Sequence, residues 1–176
     1  MGLIHAPEYC TRLVEPSMPD VQPTSEIIVA GTNTQKFVAG AVFQAALRWN
    51  DYLLLFLTDD VIFEETLNIY LLDKDLNIVD LARMYHMYST GVFSDLDLSE
   101  PDTVRFRFFE GLVWTLRLLN EQAFAVPFFS DPTGVHRPFK FFRRFHLHSH
   151  PTSGKSRSKI SENADEKIFA PSDPQP

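Results

Sequence analysis

Alternation between apolar and polar side chains is clearest in Thr103-Val104-Arg105-Phe106-Arg107-Phe108-Phe109, which Glu110-Gly111 separates from Trp114-Thr115-Leu116-Arg117-Leu118. Residues two apart share one face of a β-strand, and a pair such as Glu110-Gly111 is typical of a turn. The pattern therefore predicts a β-hairpin. We expect Val104, Phe106 and Phe108 on its buried face and Arg105 and Arg107 on the opposite face.

Shorter apolar runs upstream predict further strands. The run from Tyr52 to Thr58 is continuously apolar, which suits a strand buried on both faces. Residues 68–72 and 78–81 flank a polar segment rich in Asp, Lys and Asn, so they predict a second hairpin. Glu26 to Ala30 predicts a strand that ends at Gly31.

The segment from Phe37 to Trp49 is ambiguous. Val38, Val42, Ala45 and Trp49 follow helical spacing, yet the run from Val42 precedes the turn at Asn50-Asp51 and suits a strand. We favour a strand from Val42 onward and leave one short helix near residues 36–48 as the alternative.

The downstream segments complete an all-β prediction. Residues 124–129 predict a strand, residues 130–134 a turn, and residues 139–147 the closing strand. Short strands separated by turns are typical of an antiparallel meander that forms a sandwich or a partly closed barrel.

The chain of 176 residues has enough length for one domain. Proline and small polar residues gather at both ends, so we expect an extended N-terminal tail over residues 1–24. A single β-rich domain is expected over residues 25–148, followed by a disordered C-terminal tail over residues 149–176.

Composition excludes several classes of function. A formal net charge of -7 argues against a dedicated nucleic-acid binder. The longest apolar run is too short to span a bilayer, and no signal peptide is apparent, so a membrane partner is not expected. Cys10 is the one cysteine, which rules out an internal disulfide and a thiolate metal cage and favours a cytoplasmic setting.

The charges are unevenly distributed along the chain. Residues 51–102 contain twelve acidic and two basic residues, whereas residues 103–148 contain three acidic and seven basic residues. The two halves can neutralise each other as cross-strand pairs within one sheet. Alternatively, acids in loops are free to face a partner.

No catalytic residue, metal ligand or cofactor is expected from the motifs. The carboxylates around residues 59–65 lack the ligand series of an EF-hand. His146, His148 and His150 would share one face of an extended segment, but the transition to the tail favours non-specific metal contact, and His136 is expected to be structural. Residues 139–145 interleave bases with aromatics, which fits a closing strand as well as a nucleic-acid platform.

Three segments of the chain resemble small immunity proteins of bacterial polymorphic or contact-dependent toxin systems. They are Trp49-Asn50-Asp51-Tyr52-Leu53-Leu54-Leu55-Phe56-Leu57, Asn68-Ile69-Tyr70-Leu71-Leu72-Asp73 and Gly134-Val135-His136-Arg137-Pro138-Phe139. The resemblance implies a cytoplasmic, single-domain, non-catalytic protein that occludes the active site of a cognate toxin, often a nuclease.

An acidic surface suits this role, because it can substitute for phosphate in a cationic cleft and accelerate association. The residues expected to contact a basic toxin domain are first Asp59, Asp60, Glu64 and Glu65, and second Asp95, Asp97, Glu100 and Asp102. Two alternatives stay open, namely an interaction or structural module that uses the edge of its sheet and a hydrolase without a recognisable motif.

Overall fold

The computed structural model describes residues 2–18, 21–61, 64–87, 89–127 and 130–151, and over these residues the chain is built from strands without a helix. The all-β prediction is confirmed. The strands are β1 (Ile4–His5), β2 (Tyr9–Glu15), β3 (Thr24–Val29), β4 (Thr32–Ala39), β5 (Val42–Trp49), β6 (Tyr52–Thr58), β7 (Leu67–Leu72), β8 (Ile78–Met84), β9 (Gly91–Glu100), β10 (Thr103–Phe109), β11 (Leu112–Phe124), β12 (Val135–His136) and β13 (Phe142–Pro151).

The strands form three antiparallel sheets. A central sheet has the order β1-β5-β6-β7-β8-β12, a four-stranded sheet has the order β13-β11-β10-β9, and a three-stranded sheet has the order β2-β3-β4. Neighbours in sequence are mostly neighbours in space, as the predicted meander requires. Three strands break this order: β1 pairs with β5, β12 pairs with β8, and β13 pairs with β11.

The central sheet is the middle layer of a sandwich. Leu54 and Phe56 of β6 point into the core shared with Phe106 of the four-stranded sheet. Leu55, between them, points into a second core shared with Ile27 of the three-stranded sheet. This arrangement confirms that the continuous apolar run of β6 is a strand buried on both faces, since alternate side chains fill two different cores.

The predicted hairpin of β10 and β11 is also confirmed. Val104 pairs with Leu116 and Phe106 pairs with Trp114 in the antiparallel register. The side chains of Val104, Phe106 and Phe108 are buried, whereas Arg107 lies exposed on the outward face. Gly111 has a φ of 72°, a backbone conformation that a turn residue without a side chain adopts readily.

The ambiguous segment forms two strands, β4 and β5, so the alternative of a helix near residues 36–48 is wrong. The two strands are separated at Gly40, which has a φ of 130°. A Cβ at this position would lie 2.4 Å from the Cβ of Leu57, so the close approach of β4 to the central sheet requires glycine. Helical spacing arose because two short strands with different buried faces follow each other directly.

Three predicted boundaries differ from the structure. β11 continues to Phe124, and residues 125–127 form a loop in which Pro127 has no N–H to donate to a strand, whereas residues 128 and 129 of the predicted strand lie outside the described residues. The closing strand starts at Phe142 instead of residue 139. It extends to Pro151, so the predicted domain end at residue 148 is too early.

The first 24 residues contain two paired strands in place of the expected tail. β1 pairs with β5 of the central sheet, and β2 pairs with β3 along most of its length. Pro7 and Pro16 flank β2 and therefore leave its ladder intact. The predicted disorder of the C-terminal tail concerns residues 152–176, which lie outside the described residues.

Candidate binding surfaces

In the acidic loop between β6 and β7, the described residues 59–61 and 64–66 include one glutamate that accepts several backbone hydrogen bonds. The Oε1 atom of Glu65 accepts backbone N–H groups from Asp59 at 2.8 Å, Asp60 at 3.0 Å and Thr66 at 3.1 Å. Burial nevertheless raises the pKa of Glu65, because desolvation outweighs these hydrogen bonds. Glu65 therefore stabilises the backbone conformation around Asp59, Asp60 and Thr66.

Asp59, the first predicted contact residue, is also engaged within the protein. Its carboxylate is almost fully buried, accepts Asn68 Nδ2 at 2.6 Å and lies 3.9 Å from Arg83 Nη2. Burial raises the pKa of Asp59 despite these partners. Of the four acids predicted first, the two with exposed side chains are therefore Asp60 and Glu64.

The second predicted group of acids lies on the outward face of the four-stranded sheet. Arg107 Nε lies 3.1 Å from Asp95, Arg105 Nη1 lies 3.6 Å from Asp97, and Arg117 Nε lies 3.9 Å from Asp102. We call these contacts, together with that between Arg105 and Glu100, the outer ion-pair row. The members of the row are the acids Asp95, Asp97, Glu100 and Asp102 and the arginines Arg105, Arg107 and Arg117.

The outer ion-pair row bears out the interpretation that the acidic and basic halves neutralise each other. Asp97 and Arg105 are direct cross-strand neighbours on β9 and β10. A hydrogen bond from Arg105 holds the pKa of Glu100 below its usual range, and the backbone N–H of Ser99 does the same for Asp97. These four acids are therefore paired already, whereas Asp60 and Glu64 are not paired in any contact that the structure records.

A second surface is apolar and was not predicted as a binding site. The end of β11 and the start of β13 expose side chains that stand next to each other. Phe124 is 67% exposed and stacks on Phe141 at 6.1 Å between ring centroids, while Phe142 meets Phe124 edge-on at the same distance. Phe139 contacts Phe141 at 5.2 Å. We call this surface the aromatic patch, and its members are Phe124, Phe139, Phe141 and Phe142.

Beside the aromatic patch lies a buried network of charges around Asp80. Arg137 donates from Nη1 to Asp80 at 3.0 Å and from Nε to Asp131 at 2.8 Å. Asp80 also accepts the backbone N–H of Arg144 at 2.7 Å, which connects β8 to β13. Arg143 lies 3.8 Å from Asp131. We call Asp80, Asp131, Arg137 and Arg143 the Asp80 network.

Sequence reasoning missed the Asp80 network, although one signal was present. Asp80 interrupts an apolar run at a position that shares its face with Ala82 and Met84 of β8. A carboxylate at a core-facing position needs a partner, because an unpaired buried charge is strongly unfavourable. The partner residues carry no comparable signal, since Arg137 is 57 residues away in the chain.

A cavity with a volume of about 530 Å³ lies between the loop after β8 and the turn after β10. His86 and Ser89 line it, and the Nε1 atom of buried Trp114 has no hydrogen-bond partner. His86 Nδ1 lies 3.1 Å from the Met87 carbonyl and 3.4 Å from Ser89 Oγ. Since a carbonyl only accepts, Nδ1 carries the proton in this contact and is not placed to activate Ser89 as a nucleophile.

The histidines occupy defined positions in the sheets. His146 and His148 lie on β13 with ring centroids 6.2 Å apart, and burial lowers the pKa of His146. His136 of β12 stacks on Tyr85 at 4.1 Å. In the described part of the chain, no group of three or more potential metal-ligating side chains is arranged to hold an ion.

Comparison with protein-family models, curated protein sequences and solved structures gives no match for this chain. Within the described ranges, no helix has the length and apolar character needed to cross a membrane. The resemblance to immunity proteins and the expected contacts with a toxin therefore stay predictions.

Proposed function

We propose that this protein is a non-catalytic binding protein that docks a partner protein on the aromatic patch. The observation that carries the proposal is the contiguity of the exposed rings. Phe124 is 67% exposed and Phe142 is 55% exposed, and both contact other members of the patch. Isolated exposed apolar side chains are ordinary, but an apolar cluster on a folded surface marks a contact site.

A protein partner suits this patch better than a lipid surface. Aromatic side chains are enriched among the residues that contribute most to protein–protein affinity, because they bury large areas at a small entropic cost.

The aromatic patch is tested by comparing two exposed phenylalanines. Phe124→Ser removes the centre of the patch, and Phe37→Ser removes a 53% exposed ring from β4, far from the patch in the sheet order. We expect wild type and Phe37→Ser to capture the same protein in equal amounts from the native cell extract, and Phe124→Ser to capture much less of it. Equal capture by all three proteins contradicts the proposal.

Lipid binding is tested in a second experiment with the same variants. Sedimentation with vesicles of mixed neutral and anionic phospholipid should be similar for wild type and Phe124→Ser. A loss of vesicle binding confined to Phe124→Ser would assign the aromatic patch to a membrane and contradict the protein-docking proposal.

A second candidate function is the inhibition of a basic toxin domain through the acidic loop. The observation in its favour is that Glu65 accepts three backbone N–H groups of the acidic loop while Asp60 and Glu64 are exposed. A preorganised pair of carboxylates binds a cationic surface with little ordering cost.

Charge-matched variants test the inhibitor function. Asp60→Asn combined with Glu64→Gln removes two unpaired charges, and Asp95→Asn combined with Asp97→Asn removes two that arginines already neutralise. Binding to a toxin-like protein encoded beside this gene is measured at increasing salt. We expect the first double variant to weaken binding and flatten its salt dependence and the second to change little. Equal effects of both would contradict a specific role for the acidic loop.

A further inference from the structure

A cavity of about 360 Å³ lies where the turn before β12 meets the start of β13. Its walls include the apolar side chains of Pro127, Pro132 and Phe139, and its polar lining includes Asp131 and Arg143. A volume of this size is at the lower end of the range of small-molecule sites, which are mostly apolar with a few oriented polar groups.

Arg143 is the unusual residue of this cavity. Its side chain is only 2% exposed, and its Nε and Nη1 atoms are buried without a hydrogen-bond partner among the residues that the structure describes. The third nitrogen, Nη2, lies 3.8 Å from Asp131, which is too long for a hydrogen bond. Buried guanidinium donors are almost always satisfied, because leaving them unpaired costs a large desolvation energy.

The neighbouring Arg137 shows what full satisfaction looks like in the same network. Its Nε donates to Asp131 at 2.8 Å, its Nη1 to Asp80 at 3.0 Å and its Nη2 to the Phe145 carbonyl at 3.1 Å. The Phe145 ring also lies 4.2 Å below the guanidinium carbon. Arg137 therefore has a partner at each nitrogen, whereas Arg143 has none within hydrogen-bond distance.

Three of the four carboxylate oxygens of the Asp80 network accept hydrogen bonds from groups other than Arg143, and the fourth, Asp131 Oδ2, lies 3.8 Å from Arg143 Nη2. Asp131 Oδ1 accepts Arg137, and the two oxygens of Asp80 accept Arg137 and the backbone N–H of Arg144. Two carboxylates balance two guanidiniums in formal charge, but the hydrogen bonds go to one of the guanidiniums. Arg143 is thus the cation of the network whose Nε and Nη1 atoms lack an acceptor among the described residues.

We propose that this cavity binds an oxyanion, a carboxylate or a phosphate carried on a small apolar group, through the guanidinium of Arg143. Charge-assisted hydrogen bonds from a guanidinium to an oxyanion are among the strong polar contacts in proteins. The apolar walls accommodate the body of the ligand. The proposal is independent of docking on the aromatic patch, although Phe139 belongs to both surfaces.

The test follows the Nε–H signal of Arg143 by NMR in the full-length protein. Benzoate and inorganic phosphate serve as oxyanion probes, and benzamide serves as the neutral analogue of benzoate. We expect a saturable shift of the Arg143 signal with at least one oxyanion and no saturable shift with benzamide. A blocked peptide with one glutamate beside a phenylalanine tests a partner's side chain as the source of the carboxylate.

Two variants test whether Arg143 is the residue that binds the probe. Arg143→Gln should weaken binding of the responding probe by at least about tenfold, since it removes a charged hydrogen-bond donor. Lys140→Gln removes an exposed charge three residues away and should leave the affinity unchanged. If Arg143→Gln does not fold, the wild-type signal still decides the question.

Three results would overturn the oxyanion site. They are the absence of a saturable shift with benzoate, phosphate and the peptide, an equal response to benzoate and benzamide, and a response that survives in folded Arg143→Gln. The first result would mean that water alone satisfies Arg143.

Discussion

The Asp80 network and the outer ion-pair row both join arginines to carboxylates, yet they differ in burial and in sequence separation. Asp80 and Arg137 are almost inaccessible to solvent and lie 57 residues apart. Arg107 and Asp95 are more than half exposed and belong to adjacent strands. The comparison shows that the network fixes the position of whole segments, whereas the outer row balances charge on a surface that water already solvates.

The largest expected effect is the loss of Asp80. Asp80→Asn leaves the buried guanidinium of Arg137 with one carboxylate in place of two, and it weakens the contact to the Arg144 N–H. Breaking a buried ion pair by removing one partner costs about 3 to 5 kcal/mol. Chemical denaturation should show this loss in the free energy of unfolding, while Asp95→Asn in the outer row should have a much smaller effect. Similar losses of unfolding free energy in Asp80→Asn and Asp95→Asn would contradict the distinction between the two regions.

The buried side chain of Tyr70 lies outside both regions and allows a separate test of how burial affects stability. Desolvation raises the pKa of Tyr70 to about 12 from 10.0. The unfolded chain therefore loses this proton at a lower pH than the folded chain does. The contribution of Tyr70 to stability is fully present below pH 10 and is lost as the pH rises through about 12. The shift corresponds to a loss of about 2 to 3 kcal/mol. Unfolding free energies measured up to pH 12 should decline less in Tyr70→Phe, and an identical decline in both proteins would contradict the assignment.

Carboxylate titrations sharpen the contrast between exposed and buried acids. Hydrogen bonds lower the pKa of Asp97 and Glu100, so their contribution to stability is present above the unfolded pKa and is lost as the pH falls through the folded value. Burial raises the pKa of Asp59 and Glu65, so their contribution has the opposite sign and is lost as the pH rises. Carboxyl NMR titration should find the two pairs on opposite sides of their ordinary values.

The effect of salt on the pKa should also differ between the exposed and the buried acids. Added salt should raise the pKa of Glu100, whose pairing with Arg105 is exposed, and leave Asp59 nearly unchanged because burial dominates its shift. A Glu100 pKa that ignores salt would contradict the description of the outer row as a solvent-screened surface.

The smallest expected change in stability comes from Arg105→Gln. This variant removes the partner of both Asp97 and Glu100, so the pKa of Glu100 should rise toward its ordinary value. The thermal unfolding midpoint should change little, since exposed ion pairs contribute weakly to stability. A large drop in this midpoint, comparable with that of Asp80→Asn, would refute the comparison.

Much of the fold follows from local patterns in the sequence. The alternation in β10 and β11 predicts both their pairing and their buried face, and the apolar run of β6 predicts a strand with two buried faces. The alternation is decisive because each strand of the hairpin has one face in the core and one in water. Boundaries near prolines were less predictable, since Pro7 and Pro16 flank a strand in the same way that they would punctuate a tail.

The candidate sites were less accessible to sequence reasoning. Asp59 and Asp60 are adjacent in the sequence, yet one is buried and the other exposed, because the loop turns between them. The aromatic patch depends on the pairing of Phe124 with Phe142 across two strands. The Asp80 network depends on contacts over more than 50 residues. No periodic pattern in the sequence indicates that these residues lie next to each other in the structure.

The two buried faces of β6 also bear on the order in which the chain is synthesised. Once Leu55 and Ile27 have been made, one face of this strand has its partner. Phe56, on the other face, gains its core partner only when Phe106 of β10 has been synthesised, fifty residues later in the chain. Sheets assembled from distant segments form slowly, and apolar strands exposed in the meantime associate with other chains. A ribosome that pauses between β8 and β10 would therefore present the most aggregation-prone form of this protein.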